Sequence, residues 1–346
     1  MTKNLIETLM PQDILKQLQL PPFYPLLGIS KGLNQTIASY YFPYNPFINN
    51  SKQHVISLED GDKIVLVQNS PSQITPRTRT ILLVHGLTGS QQSKYLIRAA
   101  KYFVASGYRV LRMNLRGCGL GFGLAKHLYH SGRSHDTREV LLWLSKQFPQ
   151  SPVTLIGFSL GANIVLKMAG EDGPHRSGLV DSLIAVSPPL DLEASVKLLM
   201  KKQNRLLNDF FVKSLLNDIQ KLHAHFPDLP KPQLPHIKTV YEFDDYYTAP
   251  QSGFKDAHDY YSQSSSGQFL SSITLPTLIM YAKDDPVISR RQFLKLPHHE
   301  TIHAIITAKG GHVGWLGHTD KWGYYRWMDR VLCKWVNQFD SKKHSA

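Results

Sequence analysis

The feature that most constrains the fold of this chain is a regular alternation of short apolar runs with segments in which apolar residues recur at helical spacing. Runs at 80–86, 109–114 and 153–157 predict buried strands, and segments 93–107 and 136–148 predict helices between them. Strands joined by such helices lie parallel, because the crossover returns the chain to the end where the first strand began. The pattern predicts an α/β fold with a doubly wound, mostly parallel sheet.

The alternation continues on both sides of this block. Residues 54–60 and 62–68, separated by Gly61, predict an antiparallel hairpin at its N-terminal side. Later in the chain, the same patterns predict helices at 162–170 and 321–339 and strands at 179–189, 275–282 and 301–308. We therefore expect one sheet to extend from the hairpin to the last of these strands.

Two segments depart from the alternation and suggest how the chain is divided. Residues 191–274 combine apolar residues at helical spacing with a polar, aromatic stretch, which predicts an inserted helical cap. Residues 1–53 are rich in aromatic residues and proline, which predicts an N-terminal arm packed on the core rather than a free tail. We expect residues 54–190 and 275–346 to form the α/β core.

Composition limits the kinds of partner to expect. The chain has 346 residues and a formal net charge of +13. Its Lys and Arg residues are scattered, without the basic stripe interleaved with aromatic residues that favours nucleic acid, so no nucleic-acid partner is expected. Peripheral attraction to an anionic membrane surface stays open. The sequence does not determine the oligomeric state.

The expected compartment follows from apolar stretches and cysteines. No run approaches the roughly 20 apolar residues that span a bilayer, and the first residues lack the apolar region of a secretory signal. Two cysteines, Cys118 and Cys333, imply no disulfide framework. A cytoplasmic location is expected, with membrane association left open.

A pentapeptide, GFSLG at 157–161, lies between the strand predicted at 153–157 and the helix predicted at 162–170. A serine on such a tight turn projects its hydroxyl above the sheet, and the flanking glycines avoid clashes with the neighbouring strand and helix. The helix N-terminus directs N–H groups and a partial positive charge to the same place. This context predicts a serine hydrolase of the α/β-hydrolase fold, with Ser159 as nucleophile.

The partners of this serine are expected on the loops after the last two strands. His312, in GGHVG, follows the strand predicted at 301–308, and Asp285, in KDDP, follows the strand predicted at 275–282. The order serine, acid, histidine is the order that this fold requires. Asp285 is the preferred acid, and Asp284 stays in reserve. The second aspartate could instead stabilise the turn, since Asp readily hydrogen-bonds to nearby backbone.

The loop after the first core strand completes the predicted site. The N–H groups of Leu87 and Leu160 are expected to bind the oxyanion that forms when the serine attacks a carbonyl. His85, Gly86 and Phe158 lie beside them in the sequence and are predicted to contact substrate. This chemistry needs no metal and no organic cofactor.

Other conspicuous motifs are interpreted as structural. The spacing H-E-x-x-H at 299–303 resembles a zinc-protease signature, but it enters a predicted strand, where residues four apart lie roughly 13 Å apart. Arg116 and Asp136 are expected to form a buried ion pair. Cys118 has no identified base and is interpreted as structural. The acidic, aromatic block at 241–250 either docks the cap or shapes the substrate pocket, and docking is favoured.

Several blocks resemble the YheT-like branch of the α/β-hydrolases. They are HGLTGS, GFSLGA, LRMNLRGCG, YHSG, YEFDDYYTAP, KDDP and GGHVG, with LNQT at 33–36 similar to that group's N-terminal signature. The resemblance covers residues from about 33 to 314. It implies a cytoplasmic or membrane-associated carboxylesterase or lipase, with some relatives acting on lipid esters, and it implies Ser159, Asp285 and His312 as the triad. The loop at 119–127 is more glycine-rich than the group's pattern, which would alter substrate preference if it lines the pocket mouth.

These observations predict cleavage of carboxylic esters, acyl or lipid esters above all, through an acyl-enzyme. An acyltransferase that passes the acyl group to an alcohol would use the same residues. An aminopeptidase would need a site for the amine of its substrate. A non-catalytic binding protein would not need nucleophile, acid and base together. The acyl-chain length and the head group are not determined by the sequence.

Overall fold

The computed structural model describes residues 11–44, 48, 51–232, 234–296, 299–318 and 326–341. Its main sheet contains the strands β1 Ser51–Ser57, β2 Lys63–Asn69, β3 Thr80–Val84, β4 Arg109–Asn114, β5 Val153–Phe158, β6 Ser182–Val186, β7 Thr277–Ala282 and β8 Ile302–Thr307. Their order is β1-β2-β4-β3-β5-β6-β7-β8. Strand β2 is antiparallel to β1 and β4, and every other pair is parallel. The doubly wound, mostly parallel sheet is confirmed.

Helices connect and cover these strands. In the described residues they are α1 Pro11–Gln17, α2 Gly32–Tyr41, α3 Lys94–Ala105, α4 Ser134–Gln147, α5 Leu160–Asp172, α6 Leu192–Leu199, α7 Arg205–His225, α8 Val240–Phe243, α9 Ala249–Gln251, α10 Ala257–Ser264 and α11 Trp327–Ser341. A π-helical turn, Asp244–Thr248, joins α8 to α9. The predicted final helix is found from Trp327 onward, while residues 321–325 of that prediction lie outside the described residues.

Strand β3 shows why the sheet is covered on both faces. Successive side chains of a strand point to opposite faces. Accordingly, Ile81 and Leu83 join a buried cluster with α3 and α11, whereas Leu82 and Val84 join a different cluster with α4 and α5. All four side chains are fully buried. A central parallel strand is therefore apolar throughout, as the run at 80–86 predicts.

The segment between β6 and β7 contains helices α6 to α10. Their apolar side chains form a third buried cluster, drawn entirely from residues 192–261. Phe243, Tyr247 and Ala249 of the acidic, aromatic block are buried in this cluster. Docking by that block therefore takes place through its apolar side chains.

Parts of the N-terminal segment pack on the core. Residues 24–25 form a short antiparallel pair with residues 317–318. Ile14, Leu18 and Leu20 are buried in the cluster that contains α11. Residues 1–10 of the predicted arm lie outside the described residues.

The spacing that resembles a zinc-protease signature lies in a turn that leads into β8. The strand begins at Ile302, one residue later than predicted, so His299 and His303 do not share a helical face. His303 packs against the ring of Trp335, and the His299 ring lies within hydrogen-bonding distance of Thr301.

Among the helices that the structure describes, none is both long and apolar enough to cross a membrane.

The expected ion pair between Arg116 and Asp136 is part of a larger buried network. The guanidinium of Arg116 donates two hydrogen bonds of 2.7 Å to Asp136 and one of 2.8 Å to Asp62, and it also contacts Asp60. The side chains of Arg116, Asp136 and Asp62 are at most 6% exposed. The network joins the hairpin of β1 and β2 to the loop after β4 and to α4.

Replacing Arg116 with Met should lower the free energy of unfolding by about 3–5 kcal/mol, because it leaves buried carboxylates without a counter-charge. Denaturant titration measures this change. The matched control is Arg205→Met, since Arg205 is 81% exposed and pairs with Asp209 at the surface; it should shift stability by less than about 0.5 kcal/mol. Equal effects of the two substitutions would contradict a structural role for the network.

Candidate active site

Ser159 occupies a strained turn between β5 and α5. Its backbone lies in the left-handed region, with φ 53° and ψ −121°, a conformation that non-glycine residues adopt only when the surrounding structure imposes it. The N–H of Ser159 donates to the carbonyl of Val186 at 2.8 Å. A Cβ at Gly157 would overlap the carbonyl of Gly161, and one at Gly161 would overlap the carbonyl of His85. Both glycines of GFSLG are required by close backbone contacts.

The structure brings the three predicted triad residues together. His312 Nε2 lies 2.8 Å from Ser159 Oγ, and His312 Nδ1 lies 2.9 Å from Asp285 Oδ2. Since an ionised carboxylate can only accept, the imidazole donates through Nδ1 and accepts the serine hydroxyl proton through Nε2. The His312 side chain is 10% exposed and that of Asp285 is fully buried.

The two adjacent aspartates have different partners. Asp285 Oδ1 accepts from the N–H groups of Val287 and Ile288 at 2.8 and 2.9 Å, which leaves Oδ2 directed at the imidazole. Asp284 Oδ1 instead accepts from the N–H of Gly311 at 3.0 Å. Burial raises the pKa of Asp284. Asp284 thus contacts the backbone of the histidine loop, and Asp285 contacts the ring.

The N–H groups of Leu87 and Leu160 are both free. Neither donates a hydrogen bond to any residue that the structure describes. On either side of Leu87 the backbone is held by tyrosines: Gly86 N–H donates to the hydroxyl of Tyr95 at 2.9 Å, and Thr88 N–H to that of Tyr129 at 2.7 Å. The loop is therefore restrained while the N–H between these two contacts stays available.

Sequence reasoning missed the role of both tyrosines. Tyr129 opens the YHSG block, which was a usable signal, although nothing in that block indicates its partner. Tyr95 lies on α3 and carries no motif. A hydroxyl that binds the backbone of a distant loop leaves no periodic pattern in the sequence, so only the folded chain reveals the contact.

His85 and Phe158, predicted to contact substrate, are fully buried and line neither cavity beside Ser159. Leu115 N–H donates to His85 Nε2 at 3.1 Å, so Nδ1 carries the proton and donates to the Gly86 carbonyl. Phe158 packs on Tyr95. Both side chains thus support the loop after β3 from the core side. Gly86 lies closer to the reacting centre, since a Cβ there would come within 2.9 Å of the Ser159 Cβ.

Two adjoining cavities meet at this turn, and Leu87, Leu160, Leu215, Asp244 and Tyr260 line both. The first contains Ser159 and is mainly apolar, with further walls from Leu192, Val196, Leu199, Phe211, Val240 and Val287. The second is more polar, with Lys126, His127, His130, Asp218, Thr248 and Gln251. Two residues of the glycine-rich loop at 119–127 thus line the second cavity.

Asp244 is a half-buried acid at the junction of the two cavities. Its carboxylate accepts from the hydroxyls of Thr248 and Tyr261, each at 2.7 Å. Burial raises the pKa of Asp244 to about 6. The acidic, aromatic block therefore shapes the pocket as well as docking the helices around it.

Within the described residues, carboxylates and imidazoles that could hold a cation form two groups apart from Ser159, and His127 of the second group also lines the more polar cavity. One group is Glu59, His135 and Glu139, and the second is Asp60, Asp62 and His127. The second group already contacts the guanidinium of Arg116. Neither group contains a residue of the Ser159, His312 and Asp285 arrangement.

The fold and the geometry around Ser159 are those of the α/β-hydrolases. The family model described as alpha/beta hydrolase fold matches residues 79–316. Among solved structures, the esterase Pf2001 of Pyrococcus furiosus superposes with a TM-score of 0.54 at 15% identity, covering 86% of this chain and 89% of that one. Est1E of Butyrivibrio proteoclasticus, with ferulic acid bound, has a TM-score of 0.54 at 13% identity, covering 85% and 100%.

Sequence relatives identify the branch of this family to which the chain belongs. The Escherichia coli (strain K12) protein YheT is 33% identical over 331 residues, 92% of this chain and 93% of the relative. The monoacylglycerol lipase of Saccharomyces cerevisiae is 29% identical over 75% of this chain and 59% of its own length. The phospholipase ABHD3 of Mus musculus is 26% identical over 93% and 80%. The chain belongs to the YheT-like branch of the α/β-hydrolase family, as an esterase- or lipase-type hydrolase.

The neutral, buried His85 predicts a pH dependence of stability. Burial lowers the pKa of His85 from 6.5 to about 4. The unfolded chain binds a proton there below about pH 6.5 and the folded chain does not, so the free energy of unfolding falls as the pH drops from about 6.5 to about 4. One proton contributes up to about 1.4 kcal/mol per pH unit.

Denaturant titrations across this interval measure the effect. His85→Asn should flatten the fall by approximately the contribution of one proton. A variant whose stability declines with the wild-type slope would show that His85 is not the group responsible.

Proposed function

We propose that the chain hydrolyses carboxylic esters through an acyl-enzyme, with Ser159 as nucleophile, His312 as base and Asp285 as the acid that orients it. The observation that carries this proposal is the continuous hydrogen-bonded series from Asp285 through His312 to the strained Ser159. Nucleophile, base and orienting acid within hydrogen-bonding distance are the arrangement that activates a serine hydroxyl.

Each step uses a group whose position supports it. His312 Nε2 takes the hydroxyl proton as Ser159 Oγ attacks the ester carbonyl carbon, and Asp285 stabilises the imidazolium. The free N–H groups of Leu87 and Leu160 bind the oxyanion. The imidazolium then protonates the leaving alcohol. In the second half of the reaction, His312 takes a proton from the water that attacks the acyl carbon, and the imidazolium returns it to Ser159 Oγ as the carboxylic acid leaves.

The two cavities support an assignment of the two halves of the substrate. We assign the acyl chain to the apolar cavity that contains Ser159, because its walls exclude water from a hydrocarbon chain. The alcohol portion is assigned to the more polar cavity, where Asp244, His130 and Gln251 offer hydrogen-bonding groups. Residues 191–274 are proposed to act as the cap over both. The named activities of the relatives, on monoacylglycerols and phospholipids, agree with a lipid ester as substrate.

Ser159→Ala should abolish both ester hydrolysis and labelling by a fluorophosphonate probe, because the variant lacks the activated hydroxyl that forms the covalent bond to phosphorus. Labelling of this variant at the wild-type level would overturn the proposal.

The adjacent residues Asp284 and Asp285 allow the identity of the orienting acid to be tested with two matched substitutions. Asp285→Asn should lower kcat about 10³- to 10⁴-fold, because an amide stabilises the wrong tautomer of the imidazole and does not stabilise its cation. Asp284→Asn should retain kcat within about tenfold, since Asp284 contacts the loop backbone and not the ring. The measurement is the steady-state hydrolysis of a p-nitrophenyl ester. A larger loss of kcat in Asp284→Asn than in Asp285→Asn would identify Asp284 as the acid that orients His312.

The acyl assignment predicts a change in chain-length preference. Val196→Phe adds a ring inside the apolar cavity and should lower kcat/KM for long-chain esters roughly 15- to 60-fold, since two or three methylenes lose about 0.8 kcal/mol of burial each. Esters with short acyl chains should change by less than about threefold. Lys197→Phe places the same ring on a neighbouring residue that is 66% exposed and serves as control. An unchanged chain-length preference in Val196→Phe would contradict the assignment of the acyl chain to this cavity.

A further inference from the structure

The LNQT segment at 33–36 lies on α2, far from the triad in sequence, and none of the steps above uses it. In the fold, α2 packs directly on the loop that carries His312. Gln35 is fully buried although it is polar. A buried amide is retained where its hydrogen bonds are satisfied, and those bonds lead to the histidine loop.

Thr36 contacts the backbone of the histidine itself. The N–H of His312 donates to Thr36 Oγ1 at 2.8 Å, and the Thr36 hydroxyl donates to the carbonyl of Gly32 at 2.8 Å. Because the hydroxyl proton is used within α2, the lone pairs of Oγ1 are directed toward the His312 N–H. The hydroxyl is therefore oriented before substrate arrives.

Gln35 holds the same loop four residues further on. Its Oε1 accepts from the N–H of Leu316 at 2.8 Å, and its Nε2 donates to the carbonyl of Leu316 at 2.8 Å and to that of Ile29 at 2.6 Å. The side-chain amide thus pairs with both backbone groups of one residue, as a neighbouring strand would. The loop is restrained at His312 and at Leu316 by adjacent residues of one helical turn.

The loop between these two points needs such restraint. Val313 and Trp315 have φ values of 52° and 45°, and a β-branched residue in this region is a true outlier. Conformations of this kind persist only when surrounding contacts over-determine them. The fit against α2 is close, because a Cβ at Gly311 would overlap the carbonyl of Gly32.

Helix α2 is also anchored at its C-terminal end, by residues outside the histidine loop. Arg326 donates to the carbonyls of Ser39 and Phe42 at 2.9 and 3.2 Å. Lys94 donates to the carbonyl of Tyr40 at 2.8 Å, and its ammonium lies 4.3 Å from the centre of the Tyr40 ring. The C-terminal half of α2 is thus fixed to α3 and to the residues before α11, and its N-terminal half can serve as a rigid support.

We infer that Thr36 and Gln35 are positioning residues, through which the N-terminal arm holds His312 in line with Ser159 and Asp285. This inference rests on the proposed role of His312 as base. The arm then contributes to the reaction rate without touching substrate, and its contribution should appear in kcat and not in KM.

The test is Thr36→Val, which keeps the shape of the side chain and removes the acceptor. Misplacement of a catalytic group by a fraction of an ångström is costly, so kcat should fall about 10- to 100-fold while KM stays within about twofold. Thr36→Ser restores the hydroxyl and should recover kcat to within about threefold of wild type. Asn34→Ala, at an exposed position of the same helix, is the control and should retain wild-type kcat.

Two further measurements separate positioning from loss of fold. Rates are expressed per site titrated to completion with a fluorophosphonate, so unfolded molecules do not contribute. The downfield Nδ1 proton resonance of His312 should shift or broaden in Thr36→Val and return in Thr36→Ser.

Wild-type kcat per titrated site in Thr36→Val, or a loss that Thr36→Ser fails to recover, would overturn the inference. Failure of the proposed function has a different signature, because Ser159→Ala would then keep full labelling and activity whatever residue occupies position 36.

Discussion

The structure depends on one close approach of backbones, where the turn at Ser159 passes beneath the loop after β3. Glycine is required at Gly161 because the carbonyls of Val84 and His85 occupy the space of a Cβ. The same proximity places the free N–H groups of Leu87, on the loop after β3, and of Leu160, at the start of α5, beside the cavity that contains Ser159. In a parallel sheet the carboxyl ends of the strands share one edge, and the loops that carry the acid and the histidine therefore open toward the same point.

Two segments that are not part of the sheet complete the site from different sides. The segment between β6 and β7 provides apolar walls of one cavity and, through Asp244, a half-buried acid at its junction with the other. The N-terminal arm lies against the histidine loop, and none of its described residues lines either cavity. One segment thus lines the two cavities, and the other is hydrogen-bonded to the backbone of His312. Such a division allows substrate preference to vary without disturbing the geometry around Ser159.

Local patterns predicted most of the fold because each strand and helix is specified by its own periodicity. The strand at 109–114 was found at the predicted residues, and the helix after Ser159 began two residues earlier than predicted, directly at Leu160. Patterns failed for side chains whose partners are distant. Phe158 and His85 adjoin the residues of the predicted site in sequence, but their side chains point into the core. For Phe158 the reason is that side chains alternate between the two faces of a strand. His85, which follows β3, instead accepts a hydrogen bond from the N–H of Leu115.

The sequence by itself determined the order of the elements, the strand-to-helix context of Ser159 and the short set of residues from which acid and base could come, because these depend on neighbours within a few positions. Tertiary structure decided what depends on contacts between distant segments. It directed Asp285 rather than Asp284 at the imidazole, set Tyr95 and Tyr129 on either side of Leu87, and placed Thr36 against the N–H of His312. A hydrogen bond across 276 residues has no local signature, since nothing in the periodicity of either segment records the presence of the other.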